Sequence, residues 1–363
     1  MKQAAHAPLV TALHPADSKQ KIDAFLTPLF ALKAEQAGSM DPAYAKLWQS
    51  IHQLYQAGGK RLRSYMTLLT FSAYSSEPIE SIIPSAAAQE LIHLAMLIHD
   101  DIIDRDDIRY GVENISGSYL LNYAEHISDE AERRHYAESA AILAGDLLIS
   151  EAYILIAETQ APPSAIVSAQ RLLAQAIFNV AGGELLDTEA SFNTINPAKP
   201  LLIAQKKTAS YSFVSPLIMG ATLAGASHEQ RDILKTIGEE LGVAFQLRDD
   251  IIGIFGDSSV TGKSTEGDIR EGKRTLLIEE FMRLASSSQK EEFNSLFGDQ
   301  TITDESVGSV RELLIKSGAC ASIESIIADY HQKTLSLVHQ LAIDDELKDS
   351  FQILISLCLK RER

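Results

Sequence analysis

Apolar residues recur at three- and four-residue steps through almost the whole chain, the pattern of helices that bury one face. It predicts helices over Lys19–Ala37, Pro42–Gln56, Arg63–Tyr74, Ser85–Arg109, Glu130–Gln160, Ser164–Glu189, Leu201–Ala226, His228–Ile254 and Thr275–Ala285. Several more fill the stretch from Asp304 to the C-terminus. Two starts are marked by their own chemistry: Pro42 follows Asp41, and Ser164 follows Pro162-Pro163. Long strands flanked by turn dipeptides are absent. The expectation is an all-α fold, a single large helical bundle over residues 19–363 with a loose N-terminal arm over 1–18. The breaks are short: Gly58-Gly59, Ile108–Ser118, Asn193–Pro200 and Gly256–Gly272. No composition shift marks a linker.

Two of the apolar stretches end in carboxylates. Leu91 to Ile98 runs into His99-Asp100-Asp101-Ile102-Ile103-Asp104, and Leu241 to Leu247 runs into Arg248-Asp249-Asp250-Ile251-Ile252-Gly253. Positions i and i+4 share a helix face, so Asp100 and Asp104 point the same way with Asp101 beside them. Like charges about 4 Å apart cost on the order of 4 kcal/mol at an effective dielectric near 20. A hard divalent cation bridging to phosphate oxygens offsets that cost. A solvated acidic helix end explains one such cluster as well as a metal site does. Two clusters of one form, each with cationic companions, favour the metal.

Charge then narrows the partners. The 363 residues hold 32 Lys and Arg against 49 Asp and Glu, a net charge of −17. That balance argues against binding nucleic acid or an anionic membrane over a broad surface. A polyanionic substrate is still admissible where local cations and metal ions reverse the field. Cys320 and Cys358 show no disulfide or zinc pattern and fit a reducing compartment. Met1 to Asp23 has no apolar signal-peptide core, and the longest apolar run, Phe213 to Ala226, is too short to span a bilayer. A cytoplasmic protein without a membrane span is expected.

The cations collect in the breaks. Gly58-Gly59-Lys60-Arg61-Leu62-Arg63 precedes a helix start, and glycines, cations and a helix N-terminus together make an anion site or, equally, a turn with surface basics. Lys206-Lys207-Thr208 opens an otherwise apolar helix, where a snorkelling lysine is the ordinary explanation. Gly262-Lys263 and Asp268 to Arg274 form a Gly-rich loop suited to closing over phosphates. His93 and His99 lie six residues apart, on different faces, and hard cations favour oxygen over imidazole.

Taken in order, G-G-K-R-L-R, H-D-D-I-I-D-R-D-D-I-R, G-D-L-L, K-T-A-S-Y-S-F, F-Q-L-R-D-D-I-I-G-I-F-G-D, T-G-K and G-K-R-T resemble the trans-isoprenyl diphosphate synthases, the polyprenyl synthetase family. The likeness runs from Gly58 to about Thr275 and is strongest to geranylgeranyl diphosphate synthases. It implies the isoprenoid synthase fold with a central active-site cavity, a homodimer, and magnesium-dependent condensation of isopentenyl diphosphate with an allylic prenyl diphosphate. By that resemblance Asp100 and Asp104 bind two Mg²⁺ and Asp249 a third, with Asp101 and Asp250 supporting. Arg109, Lys207, Lys263 and Lys273 hold the allylic diphosphate. Lys60, Arg63 and His93 hold that of isopentenyl diphosphate. The Lys207 carbonyl, the Thr208 hydroxyl and the Gln246 amide oxygen stabilise the allylic cation.

The chain departs from the family pattern in three places. Tyr110 stands in Arg109-Tyr110-Gly111 where Arg-Arg-Gly is usual, which removes one charge from the isopentenyl diphosphate site. Gly253 and Glu184 stand where many members carry Asp and Gln. Product length is expected to depend on the level one turn below Asp100. Farnesyl-producing relatives close it with an aromatic ring, whereas Ala95 leaves it open, Met96 fills it loosely, and Ile92 lies a turn deeper. A product beyond C15, C20 first, is expected, and Ala95→Phe is expected to shorten it. Two rivals remain at this point. Tyr110 keeps open a non-catalytic or regulatory subunit of a heteromeric synthase, and a class I terpene cyclase shares the fold without needing Lys60 and Arg63.

Overall fold

The computed structural model describes residues 13–191, 199–256, 266–299 and 301–359. Apart from one two-residue ladder, every regular element among them is helical. They form two compact units. One comprises residues up to Ala174 with Ser215–Asp232 and Leu341–Phe351; the other comprises Gln175–Val214, Ile233–Gln340 and the residues from Gln352 onward.

In the first unit the helices are α1 (Pro15–Gly38), α2 (Pro42–Ala57), α3 (Leu62–Tyr74), α4 (Ile83–Ile103), α5 (Ile115–Asn122), α6 (Glu130–Ala157), the start of α7 (Pro163–Ser191) and α9 (Ser215–Leu223). Starts follow capping chemistry. The Asp41 carboxylate accepts from the Ala43 N–H at 2.7 Å and that of Asp129 from the Glu132 N–H at 3.0 Å. Helix α4 packs on α6, α3 on α9 and α1 on α2. By composition α4, with the turn before it, and α6 could each cross a bilayer, which the longest uninterrupted apolar run did not reveal. Here 72% and 50% of their most apolar windows are buried inside the protein. Helix α6 nonetheless leaves Ile142, Leu143 and Ile154 exposed.

Helix α4 stops six residues before the predicted end at Arg109. Arg105 turns left-handed (φ 60°), the Asp106 N–H bonds the Asp101 carbonyl at 2.8 Å, and the Arg105 N–H bonds that of Ile102 at 3.3 Å. Those two bonds make a Schellman stop. The chain then forms a small hairpin, β1 (Ile108–Arg109) against β2 (Val112–Glu113), with Tyr110 and Gly111 both at positive φ in the two-residue turn. The expected loop Ile108–Ser118 therefore contains the hairpin and the start of α5, which Asn114 caps by accepting from the Gly117 N–H at 2.9 Å.

The second unit holds the end of α7, α8 (Pro200–Ile203), most of α10 (His228–Phe255), α11 (Gly267–Glu271), α12 (Leu276–Leu284), α13 (Ser287–Asn294), α14 (Asp304–Lys316), α15 (Ala319–His339) and the end of α16 (Asp345–Leu359). Its core joins Leu247, Ile251 and Ile254 of α10 to Leu277, Phe281, Phe293, Val310 and Ile323. The predicted helix Leu201–Ala226 is broken here. Residues Ala204–Val214 form a π-helix, a wider coil often found at functional positions. Three glycines let neighbouring helices meet its backbone: a Cβ at Gly183 would strike Lys206 and Lys207, one at Gly242 would strike Ala209, and one at Gly238 would lie 2.9 Å from Val214.

Candidate functional site

In the first unit, the last turn of α4 presents the first aspartate cluster. Asp104 caps the helix, its N–H bonded to the Asp100 carbonyl at 2.8 Å, so the i, i+4 relation survives the helix end. Carboxylate oxygens of Asp100 and Asp104 lie within 4.8 Å of one another, both half-buried. Asp101 is 2% exposed. The hairpin returns Arg109 onto it: the Arg109 Nε donates to Asp101 Oδ1 at 2.7 Å, Nη2 also donates to Asp101, and Nη2 reaches Asp100 at 3.3 Å. Burial works against the guanidinium charge, but Asp101 and Asp100 outweigh it and hold Arg109 firmly protonated. Part of the like-charge cost is thus offset within the protein. Two adjacent carboxylates with hard oxygen donors, one neighbour already neutralised, fit a small divalent cation that keeps water and phosphate ligands.

His99 takes no part in this. Its Nε2 lies 3.3 Å from the Ile142 carbonyl on α6, and its ring fills the space left by Gly145.

The loop before α3 lies in the same unit. Lys60 is exposed and Arg63 half-buried. Burial, with the charges of Arg63, Arg109 and Arg61, pushes His93 well below the ordinary imidazole range, so its ring is neutral near pH 7 and offers one donor and one acceptor. The Tyr110 ring packs so close to this loop that a Cβ at Gly58 would lie 2.6 Å from it. Arg61, which sequence reasoning passed over, is buried in the loop's base. Farther down α4, Ala95 and Ile92 are enclosed (0% and 1% exposed), whereas Met96 keeps accessible surface one turn below Asp100 on the same face.

In the second unit, Asp249 and Asp250 sit near the end of α10. Asp250 is buried and accepts from the Gln246 amide at 2.8 Å. Burial pushes its carboxyl up to about 7; Asp268 and Asp187 add to the shift while Gln246 and Lys273 oppose it. The Gln246 oxygen in turn accepts from the Thr208 hydroxyl, which the π-helix carries. The Arg248 fork grips Glu324 of α15 at 2.6 and 2.7 Å and fixes the turn before Asp249. Lys207 reaches Glu184 at 3.0 Å and Asp187 at 2.8 Å, and Lys273 lies 3.9 Å from both Asp187 and Asp268. Asp187 and Asp268 were not singled out from the sequence, where neither belongs to a run of carboxylates. A Cβ at Gly253 would collide with the Asp268 carboxylate, so the departure from Asp there makes room for it. Lys263 lies outside the described residues.

Known proteins place this arrangement. Residues 45–314 match the family model described as polyprenyl synthetase. The chain is 32% identical to a short chain isoprenyl diphosphate synthase of Methanocaldococcus jannaschii over 269 residues, 74% of this chain and 76% of that protein. It is 32% identical to a geranylfarnesyl diphosphate synthase of Aeropyrum pernix over 319 residues, covering 86% and 93%. The crystal structure of geranylgeranyl pyrophosphate synthase from Corynebacterium glutamicum, complexed with isoprenyl diphosphate and magnesium, superposes with a TM-score of 0.87 at 27% identity, covering 96% and 98%. With the ordered motifs, the all-α fold and a family match spanning most of its length, this chain belongs to the polyprenyl synthetase family and is a trans-prenyltransferase.

Proposed function

We propose that the protein condenses isopentenyl diphosphate with an allylic diphosphate to a trans-prenyl diphosphate longer than C15, with geranylgeranyl diphosphate as the product. The observation that carries the reading is the pair of aspartate clusters, each near the C-terminal end of a long helix and each under the influence of a cation, Arg109 on Asp101 and Lys273 on Asp250. Both units act as one catalytic domain, which the family match across residues of each supports.

In this reading Asp100 and Asp104 hold two magnesium ions and Asp249 a third. Bound magnesium supplies charge neutralisation for the departing diphosphate. Asp101, clamped by Arg109, sets the orientation of the α4 end, and Asp250 does the same for Gln246. Arg109, Lys207, Lys263 and Lys273 take up the diphosphate charge as the allylic C–O bond breaks. Once that substrate is bound, the lysines exchange some of their present carboxylate contacts for phosphate oxygens. The Thr208 hydroxyl oxygen, the Gln246 amide oxygen and the Lys207 carbonyl present negative dipoles to the carbocation. Lys60, Arg63 and the neutral His93 hold the second diphosphate while the isopentenyl double bond attacks. The proton lost on forming the new double bond passes to the released diphosphate. A cytoplasmic homodimer completes the proposal, and the exposed apolar residues of α6 support the dimer.

Asp100→Ala and Asp249→Ala test the metal assignment. Each is expected to lower kcat by about a thousandfold or more, the scale of removing a preorganised charge-stabilising group, while circular dichroism stays helical. Near-normal incorporation of radiolabelled isopentenyl diphosphate by either purified variant would overturn it.

A further inference from the structure

Arg61 of the Gly58–Arg63 loop is buried and bonded to the protein at each of its three guanidinium nitrogens. Its Nε donates to Asp23 Oδ1 on α1 at 2.9 Å, Nη1 to the Gly58 carbonyl at 2.7 Å and Nη2 to the Tyr55 carbonyl at 2.8 Å. The guanidinium lies 3.7 Å over the Tyr55 ring, and the Tyr55 hydroxyl donates to the same Asp23 oxygen at 2.5 Å. Asp23 also receives the Lys19 ammonium at 2.5 Å. Burial alone would raise the Asp23 carboxyl; its three donors outweigh that and hold it below the usual range.

The loop needs such an anchor. Arg61 has φ 54°, in the left-handed region that a side chain ordinarily avoids. Gly59 has φ 101°, and a Cβ there would strike the Arg61 guanidinium. Glu90 of α4 fixes the next residues, accepting from the Ser64 N–H at 2.9 Å, and the one proton of the Ser64 hydroxyl is shared between Glu90 at 3.0 Å and the Arg61 carbonyl at 2.9 Å. A buried carboxylate thereby caps the N-terminus of α3. Lys60 directly precedes the first of these anchored residues, Arg61, and Arg63 lies between it and the second, Ser64.

We infer that Asp23, acting through Arg61 and Tyr55, is a positioning residue for the isopentenyl diphosphate half of the site: it fixes the loop so that Lys60 and Arg63 converge on one diphosphate. Arg61 is committed to the protein and does not contact substrate. The inference rests on the proposed role of Lys60 and Arg63. It makes the N-terminal helix, which carries none of the ordered motifs, a determinant of affinity for one substrate and not the other.

Steady-state kinetics with each substrate varied in turn tests it. Asp23→Ala is expected to raise KM for isopentenyl diphosphate about tenfold, the loss expected from one charge-assisted hydrogen bond, with kcat and the allylic KM within about twofold. Asp23→Asn keeps the acceptor oxygen and is expected to restore most of the affinity. Tyr55→Phe keeps the ring under Arg61, removes only the hydroxyl, and is expected to raise the same KM about threefold; it decides the matter if Asp23→Ala does not fold. Equal loss in kcat and both KM values, or no change in the KM for isopentenyl diphosphate, would overturn the inference. Lys60→Ala and Arg63→Ala separate the two claims. If they raise that KM and the Asp23 and Tyr55 variants do not, the inference alone fails. If they leave it unchanged, the diphosphate reading of the loop fails and the inference with it.

Discussion

Tyr110 shows how far a single residue can be understood before and after its surroundings are known. The sequence reveals a missing charge. The structure adds that the tyrosine occupies a left-handed turn position and lays its ring on Gly58, so it shapes the loop that carries Lys60 rather than leaving a gap. Tyr110→Arg restores a cation at that turn. It is expected to lower KM for isopentenyl diphosphate by about fivefold, the scale of a half-exposed ion pair, and the allylic KM by less. An unchanged or raised KM for isopentenyl diphosphate would show that the ring contact matters more than the charge. The carboxylates Asp100, Asp101, Asp104, Asp249 and Asp250 were legible as clusters because they are adjacent in sequence. The partners that distinguish them were not. Asp101 differs from Asp100 by its burial and by taking both Nε and Nη2 of Arg109, and Asp250 is set by burial and the Gln246 amide, contacts that close only when the chain folds.

At the scale of elements, periodicity located most helices because burial of one face dictates it. It failed where backbone geometry, not the apolar pattern, sets the outcome. The run Ser85–Arg109 looks continuous, yet Arg105 terminates it and the hairpin sends Arg109 back to Asp101. The π-helix over Ala204–Val214 has the composition of an ordinary helix, and the contacts that accompany it come from Gly183, Gly238 and Gly242, one helix away on either side in sequence. Helix α4 also refines the expectation for product length. Ala95 is fully enclosed, so a phenylalanine there must repack its surroundings, at about 1–3 kcal/mol. Met96 shares the face of Asp100 and retains accessible surface. Met96→Phe is therefore expected to shift the dominant product to a shorter chain without loss of helical signal. An unchanged product distribution, read by chromatography, would remove this face of α4 from control of chain length.

For the whole molecule, the exposed Ile142, Leu143 and Ile154 on α6 are apolar surface on which the proposed homodimer would form. Light scattering at micromolar concentration is expected to give twice the chain mass of 39.7 kDa; the monomer mass would contradict it. The central claim is chain elongation beyond C15, and product analysis meets it most directly. The purified protein is incubated with magnesium, an allylic diphosphate and excess radiolabelled isopentenyl diphosphate, and the dephosphorylated products are separated by chromatography. The account predicts a dominant C20 alcohol that disappears when the magnesium is chelated. A dominant C10 or C15 alcohol, or no labelled prenyl product at all, would contradict it.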